Sequence, residues 1–250
     1  MTQPFWISTS WDDGHVLDRR VVDLLNRHNL RGTFYIARDY LPDRLSDSEI
    51  VVLAQEHEVA AHTLTHPILT EIALDDARQE IMGSKAWLED LTGRPVTGFA
   101  FPAGIFNQDL RNLAEDVGFR VARSVRQFSI GTTGLDYLDL PTTIHIYPFP
   151  FRPVNSWRAR FQPIRRAVPH ILPLRIPLLA LRNWPALATI LLERASQQGG
   201  VWHLWGHSWE IEKYGMWDEL DRILAVASRY SNAQPVTNSE LVHALKQQAS

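Results

Sequence analysis

Short apolar segments alternate with amphipathic segments along most of the chain, and this alternation is the feature that most limits how it can fold. The spacing of apolar residues over Val16–Asn29 predicts an amphipathic helix, and residues 32–37 predict the strand that follows it. Ser46 and, three residues later, Glu49 form the pattern of a capping box, which predicts a second helix. Regular alternation of strands and helices indicates a parallel sheet or a barrel, with an active site at the C-terminal ends of the strands.

The remaining elements follow the same alternation. We predict helices at 47–57, 75–92, 107–117, 177–197, 216–230 and 240–248. We predict strands at the start of the chain and at 58–63, 98–102, 119–125, 201–207 and 236–238.

The size and composition fit one domain. With 250 residues, 45% of them hydrophobic, residues 1–250 can bury a full core as a single unit. There is no cysteine, so nitrogen and oxygen ligands must hold any metal ion. The N terminus lacks the basic and apolar regions of a signal peptide, and no run of about 18 apolar residues is present. We therefore expect a cytoplasmic protein, without a nucleic-acid partner.

Two carboxylates follow the first predicted strand. Asp12 and Asp13 lie where an apolar, aromatic run meets Gly14. Because side chains alternate between the two faces of a strand, one carboxylate could bind a cation while the other acts as a base. An Asp-Asp-Gly sequence alone is more often a solvated turn.

Two histidines follow a second strand about fifty residues later. His62 and His66, four residues apart, can reach one metal ion, and a carboxylate from Asp12 or Asp13 would complete a His-His-Asp set. An isolated histidine pair of this kind is more often structural. The occurrence of both clusters at strand ends favours a hydrolytic metal site instead.

The regular alternation stops at residues 142–185, which we interpret as an insertion rich in proline, aromatic residues and arginine. Between Leu140 and Leu192 the chain has seven arginines and no acidic residue, whereas the rest has 18 basic and 28 acidic residues. We predict that this segment forms a basic, aromatic rim for an anionic or lipid-linked glycan, with peripheral contact to a membrane. Alternatively, the arginines pair with acidic groups of this chain or a second subunit, and the aromatic rings pack as core.

Together these motifs resemble the metal-dependent polysaccharide deacetylases, carbohydrate esterase family four. Thr-Ser-Trp-Asp-Asp-Gly at 9–14 is similar to the family's Thr-Phe-Asp-Asp-Gly, and 62–67 is similar to its His-Ser/Thr-x-x-His-Pro. Residues 99–104 resemble the third motif, Arg-x-Pro-x-Gly, and His207 falls at the family's late histidine. The resemblance extends from Ile7 to about Leu245, apart from residues 142–185. This resemblance, together with the number of strand–helix units, implies a distorted (β/α)7 barrel.

The resemblance implies a role for each matched residue. Asp13, His62 and His66 would bind a divalent metal, most often Zn²⁺. Asp12 would be the general base and His207 the general acid, and the backbone N–H of Ala103 would bind the oxyanion. The reaction would remove an acyl group, N-acetyl above all, from a carbohydrate.

One position departs from the family. Ala100 stands where the family has the arginine that holds the base, so Asp12 needs another partner. Arg123 and Arg126, near the end of the fifth predicted strand, are the candidates, although a solvated arginine is the more common situation for either.

The remaining residues near the motifs have two interpretations each. We expect His203 to be buried and hydrogen bonded, whereas Glu210 could orient His207 or face water. Trp205, Trp209 and Phe101 could provide rings that contact a sugar, although such rings are usually core.

Two other functions stay open: a metal-dependent amidase that cuts a non-sugar C–N bond, and an inactive glycan-binding module with the same fold. The sequence leaves the oligomeric state open.

Overall fold

The computed structural model describes residues 5–248 as a single α/β domain with one curled parallel sheet. Its strands are β1 (Phe5–Asp13), β2 (Gly32–Ile36), β3 (Glu58–Ala61), β4 (Gly98–Ala100), β5 (Val121–Arg123), β6 (Ile144–His145), β7 (Val201–Gly206) and β8 (Ala233–Val236). Its helices are α1 (Asp18–Arg27), α2 (Asp47–Glu56), α3 (Leu74–Thr92), α4 (Gln108–Asp116), α5 (Trp157–Arg160), α6 (Gln162–Ile171), α7 (Trp184–Gln198), α8 (Ser208–Tyr214), α9 (Trp217–Ala227) and α10 (Asn238–Gln248).

The sheet curls into an incomplete barrel. Seven strands follow the order β5-β4-β3-β2-β1-β7-β6, and all their pairings are parallel. A parallel bridge between Arg123 of β5 and Leu140, just before β6, brings the two ends of this path together. Strand β8 pairs with the first part of β1 and lies outside the path. The predicted distorted (β/α)7 barrel is therefore confirmed.

Strand β1 is the centre of the sheet. Its nine residues are all buried, since β2, β7 and β8 pair with it and helices cover it. Phe5, Ile7 and Trp11 belong to the main hydrophobic core. The alternate residues Ser8 and Ser10 hydrogen bond to other buried polar side chains, at 2.6 Å to Asn238 and at 2.9 Å to His203. Ser8, Ser10 and Asp12 therefore form a row of polar side chains along one face of β1.

Capping residues begin helix α2 and end helix α3 where the sequence predicts. The backbone N–H of Ser46 donates to Glu49 at 2.8 Å and the Ser46 hydroxyl accepts from the Glu49 N–H, which is the predicted capping box. Helix α3 ends at Gly93, which has a left-handed φ of 66°.

The structure corrects the predictions for residues 142–197. Ile144–His145 forms strand β6 of the barrel, and the rest of the segment that we interpreted as an insertion contains helices α5 and α6. The single helix predicted at 177–197 is a 3₁₀ helix at Leu178–Arg182 followed by α7. The reason is local, because the Asn183 side chain accepts the Ala186 N–H at 2.9 Å and starts a new helix.

Candidate metal centre and active site

The C-terminal ends of parallel strands bring the predicted residues together. Asp12 and Asp13 end β1, His62 follows β3, and His207 follows β7. These strands run in the same direction, so their C-terminal ends lie at one edge of the sheet. His66 joins them through the turn after His62, and the residues line one cleft of about 400 Å³.

The side chains of three residues direct atoms that could bind a metal towards one another: Asp13, His62 and His66. The distance between the two Nε2 atoms is 3.1 Å, and Asp13 Oδ1 lies 3.7 Å from His62 Nε2 and 3.6 Å from His66 Nε2. Ligands bound to a tetrahedral Zn²⁺ at about 2.0–2.2 Å would stand roughly 3.3–3.6 Å apart. Asp13 Oδ1 is buried and has no hydrogen-bond partner among residues 5–248. The three residues therefore fit a divalent metal ion.

Neighbouring groups hold the three side chains in place. His62 Nδ1 donates to the Ala100 carbonyl at 2.8 Å, which leaves the Nε2 lone pair directed at the other ligands. Trp209 Nε1 donates to Asp13 Oδ2 at 2.9 Å. The ring of His66 stacks on Tyr40, with 4.1 Å between the ring centres.

The histidines are neutral at neutral pH, as metal ligands must be. Burial lowers the pKa of His62 against the charges of Asp12 and Asp13. Burial and the neighbouring His62 lower the pKa of His66 to about 4. Both imidazoles can therefore offer a lone pair to a cation.

The backbone at the site adopts uncommon conformations. Asp13 has a φ of 78°, Thr63 of 68° and His66 of 59°, all in the left-handed region. Non-glycine residues there cost about 1–3 kcal/mol each and cluster at functional sites. The Thr63 hydroxyl accepts the His66 N–H at 3.0 Å, which supports the turn between the two histidines.

Arg123 is the partner of Asp12. One of its guanidinium nitrogens contacts both carboxylate oxygens of Asp12, and the Arg123 side chain is 1% exposed. The guanidinium lies over the rings of Tyr35 and Trp205, at 5.1 Å and 4.7 Å. Expecting a solvated arginine was wrong for Arg123, whereas Arg126 is exposed and pairs with Asp139 at 2.9 Å.

This contact keeps Asp12 ionised. Burial by itself would raise the pKa of the Asp12 carboxyl, but the charges of Arg123, His62 and His207 lower it to about 2. Asp12 is 4% exposed and remains a carboxylate at neutral pH.

His207 is held by Glu210. The sequence left two interpretations of Glu210, and the structure shows that it accepts a hydrogen bond from His207 Nδ1 at 2.7 Å, one turn into α8. Burial lowers the pKa of His207, but this bond and the charges of Asp12 and Asp13 outweigh burial and raise it to about 9. His207 Nε2 lies 3.9 Å from Asp12 Oδ2. A protonated imidazole therefore stands beside a carboxylate in the same cleft.

The predicted sugar-contacting rings differ in exposure. Phe101 is 1% exposed and stacks on Phe106, and Trp205 is 4% exposed between Arg123 and the stacked ring of His145. Trp209 is half-buried and hydrogen bonds to Asp13. All three border the cleft, but only Trp209 has more than a small part of its ring open to it.

Ala103 and His203 lie on opposite sides of the site: one at its rim, the other beneath it. Ala103 is exposed at the rim of the cleft and has a φ of 54° within a 3₁₀ turn. His203 is buried beneath the site, where it hydrogen bonds to Ser10.

Residues 142–185 form one wall of the cleft. Those that line it include Tyr147, Phe149, Arg152, Gln162, Arg166 and Trp184. Arg152 lies 4.6 Å above the Tyr147 ring, and neither Arg152 nor Arg166 forms an ion pair with an acidic residue of the described chain. His145 also faces the site, 3.4 Å from Glu210. No sequence signal marked His145, because its strand has only two residues.

The model of the polysaccharide deacetylase family matches residues 2–122. A chitooligosaccharide deacetylase of Sinorhizobium fredii is 30% identical over 112 residues, which cover 44% of this chain and 52% of that protein. The peptidoglycan-N-acetylglucosamine deacetylase PgdA of Listeria monocytogenes is 27% identical over 135 residues, which cover 52% of this chain and 27% of that protein. The chain thus matches about half or less of each of these two relatives.

Solved structures share the whole fold. One from Mycobacterium smegmatis, assigned to the polysaccharide deacetylases, aligns over 100% of this chain and 92% of its own, with a TM-score of 0.71 and 17% identity. The Xyl-CE4 domain of a multidomain xylanase, from the hindgut metagenome of Trinervitermes trinervoides, aligns over 97% of this chain and 91% of its own, with a TM-score of 0.56 and 14% identity. At these identities the likeness concerns the fold.

Proposed function

We propose that the chain, whose residues 2–122 match the polysaccharide deacetylase family, is a metal-dependent hydrolase that removes N-acetyl groups from a carbohydrate. The observation that carries this proposal is the buried Oδ1 of Asp13, which lacks a hydrogen-bond partner in the described chain and faces both histidines. Such an arrangement is costly unless a cation completes it.

Asp13, His62 and His66 would hold the ion, and Zn²⁺ suits their nitrogen and oxygen ligands. A divalent ion there supplies Lewis acidity to an acyl carbonyl and to water. Trp209 and the Ala100 carbonyl keep two of the ligands oriented, as outer partners do in metal sites.

The other residues would handle the protons. Asp12 takes a proton from the attacking water, and Arg123 holds its carboxylate in position. The backbone N–H of Ala103 donates to the oxyanion that develops on the acyl oxygen. His207, protonated and held by Glu210, gives its proton to the nitrogen as the C–N bond breaks. The products are acetate and the free amine.

The cleft also suggests which carbohydrate binds. Arg152 and Arg166 line the cleft without an acidic partner among residues 5–248. A negatively charged group on the substrate could therefore form ion pairs with their guanidinium groups. The two relatives are named for chitooligosaccharide and peptidoglycan substrates. We therefore favour an acetylated glycan that carries an acidic group.

The test measures acetate release and metal content together. The protein loaded with Zn²⁺ should release acetate from acetylated amino sugars, and an acidic glycan should be a better substrate than neutral chitooligosaccharide. Arg166→Gln should reduce this preference, whereas Arg165→Gln, one residue away and absent from the cleft lining, should not. Sugar binding without acetate release would instead identify an inactive glycan-binding module.

Substitutions can distinguish the proposed roles of the Asp12 and Asp13 carboxylates. Asp12→Asn should lose most of kcat and retain the metal, whereas Asp13→Asn and His62→Ala should lose both. Equal loss of metal in Asp12→Asn and Asp13→Asn would contradict the assigned roles.

A further inference from the structure

The segment at 151–182 exposes apolar side chains unusually often. Seven of the twelve exposed large hydrophobic residues in the described chain lie within it: Phe151, Val154, Trp157, Phe161, Leu172, Leu178 and Leu179. Leu178 is 85% exposed and Trp157 is 67% exposed. Isolated exposed apolar residues are normal, whereas large exposed apolar patches rimmed by polar residues mark interaction sites.

The same segment carries unpaired positive charge. Six of its arginines are exposed: Arg158, Arg160, Arg165, Arg166, Arg175 and Arg182. No ion pair joins any of them to an acidic residue among residues 5–248, although arginines elsewhere form many such pairs. Among residues 5–248, these six arginines therefore do not pair with acidic groups, which was part of the alternative drawn from the sequence.

The aromatic residues of the segment divide into two groups. Phe151 and Phe161 pack edge to face at the surface, with ring centres 4.9 Å apart, and the guanidinium of Arg158 lies 5.8 Å above Trp157. Phe149 packs against the core, and Trp184 is buried within it. The three exposed rings, Phe151, Trp157 and Phe161, therefore lie within residues 151–182, and the two packed rings flank them.

We propose that this surface, defined by the seven apolar residues and six arginines above, binds a bilayer that contains anionic lipids. Arginines attract the negative headgroups, while leucine and aromatic side chains enter the boundary between headgroups and acyl chains. Binding would be peripheral, since no helix of the described chain has the length and apolar character to cross a bilayer.

The mixture of residues favours lipid over another protein. The centre of a protein–protein interface is depleted of charge, whereas here arginines alternate closely with apolar residues, as at Trp157, Arg158 and Arg160. The total absence of acidic residues from 140 to 192 also matches a uniformly negative surface better than the mixed charges of a protein.

The surface and the cleft share one segment. Arg152, Gln162 and Arg166 line the cleft, and three of the exposed apolar residues lie within two positions of them: Phe151, Val154 and Phe161. Binding at the bilayer would therefore bring the mouth of the cleft close to molecules held in the membrane, which would make a lipid-linked glycan accessible.

Flotation with vesicles tests this without reference to catalysis. The full chain should float with vesicles of phosphatidylcholine and phosphatidylglycerol at low salt, and should do so less at high salt or with phosphatidylcholine alone. Changing Arg158, Arg160, Arg165 and Arg175 to Ser should weaken binding by roughly 10²–10³-fold at low salt, given the usual contribution of each basic residue.

Matched variants control for net charge and apolar surface. Changing Arg19, Arg27, Arg38 and Arg222 to Ser removes the same charge elsewhere on the surface and should leave binding within a few-fold of the original protein. Leu178→Ser with Leu179→Ser should weaken binding, whereas Val52→Ser with Met82→Ser should not. Circular dichroism spectra and melting temperatures identify variants that fail to fold. If one segment variant or its control is unfolded, the other segment variant and its control still test whether the segment binds the bilayer.

Three results would overturn the proposal. They are no flotation with anionic vesicles at low salt, equal weakening in the two sets of arginine variants, and a stable dimer that only the segment variants dissociate. The last would identify a second copy of the chain as the partner. None of these depends on whether acetate is released.

Discussion

Replacing Arg123 with methionine should destabilise the protein strongly, because it removes the guanidinium that directly contacts the buried carboxylate of Asp12. Asp12 is 4% exposed and Arg123 is 1% exposed. The fall in the Asp12 pKa from 3.8 to about 2 corresponds to roughly 2 kcal/mol. Leaving the carboxylate buried without a partner increases the loss to about 3–5 kcal/mol.

The pH dependence follows from the direction of the pKa shift. The folded pKa of Asp12 is lower than its unfolded value, so its contribution to stability is complete above about pH 4 and is lost as the pH falls towards 2. In Arg123→Met, burial would act without the arginine and raise the pKa of Asp12. The difference in stability between variant and original protein should therefore be largest at neutral pH and decrease in acid.

Urea unfolding in the presence of a chelator measures these quantities without a contribution from metal release. Arg126→Met is the control, since its exposed pair with Asp139 should contribute about 0–1 kcal/mol. Asp12→Asn and the double variant complete a cycle that isolates the coupling between the two residues. A loss below about 1 kcal/mol at neutral pH, or a loss independent of pH, would refute the reasoning.

Two further substitutions address the groups that hold the site residues. Glu210→Gln should lower the pKa of His207 from about 9, so that the alkaline limb of the kcat profile moves to lower pH, whereas Glu219→Gln on the surface should leave it unchanged. An unmoved limb would exclude Glu210 as the group that maintains the proton on His207. Trp209→Phe should weaken metal binding by about 10–100-fold, because it removes the donor to Asp13, and a competition titration with a chelator would measure this. Unchanged affinity would mean that Asp13 is held by its backbone alone.

Local patterns in the sequence predicted most of the elements that carry the site. The capping box at Ser46 and the stop at Gly93 depend on neighbouring residues, and both occur where predicted. The clustering of Asp13, His62 and His66 follows from motifs placed at the ends of parallel strands. Each cap and each motif lies within a few residues of the helix end or strand end that it marks.

Features that depend on distant residues could not be predicted in the same way. Strand β6 has two residues and exists because β7 pairs with it from about sixty positions away. Arg123 reaches Asp12 across 111 positions, and nothing near Arg123 distinguishes it from the solvated Arg126. The hydrogen bond from Trp209 to Asp13 joins residues 196 positions apart. The sequence supplied candidates here, and only the fold could select among them.

The position of β1 bears on how the protein is made. Strand β1 is synthesised first, yet two of the three strands that pair with it, β7 and β8, lie in the last fifth of the chain. A ribosome-bound chain that ended near residue 122 would contain both aspartates and both histidines of the motifs. It would lack Arg123, His207 and strands β7 and β8, which pair with one edge of β1 and with the first part of its other edge.

We therefore expect that the stretch that matches the family model does not fold on its own. Asp12 and Asp13 can reach their final environment only after the C-terminal strands leave the ribosome, and contacts between such distant segments form slowly. Until then β1 is a strand with unpaired edges and large apolar side chains, which makes it prone to aggregation. We expect the nascent chain to depend on chaperones until β7 and β8 are available.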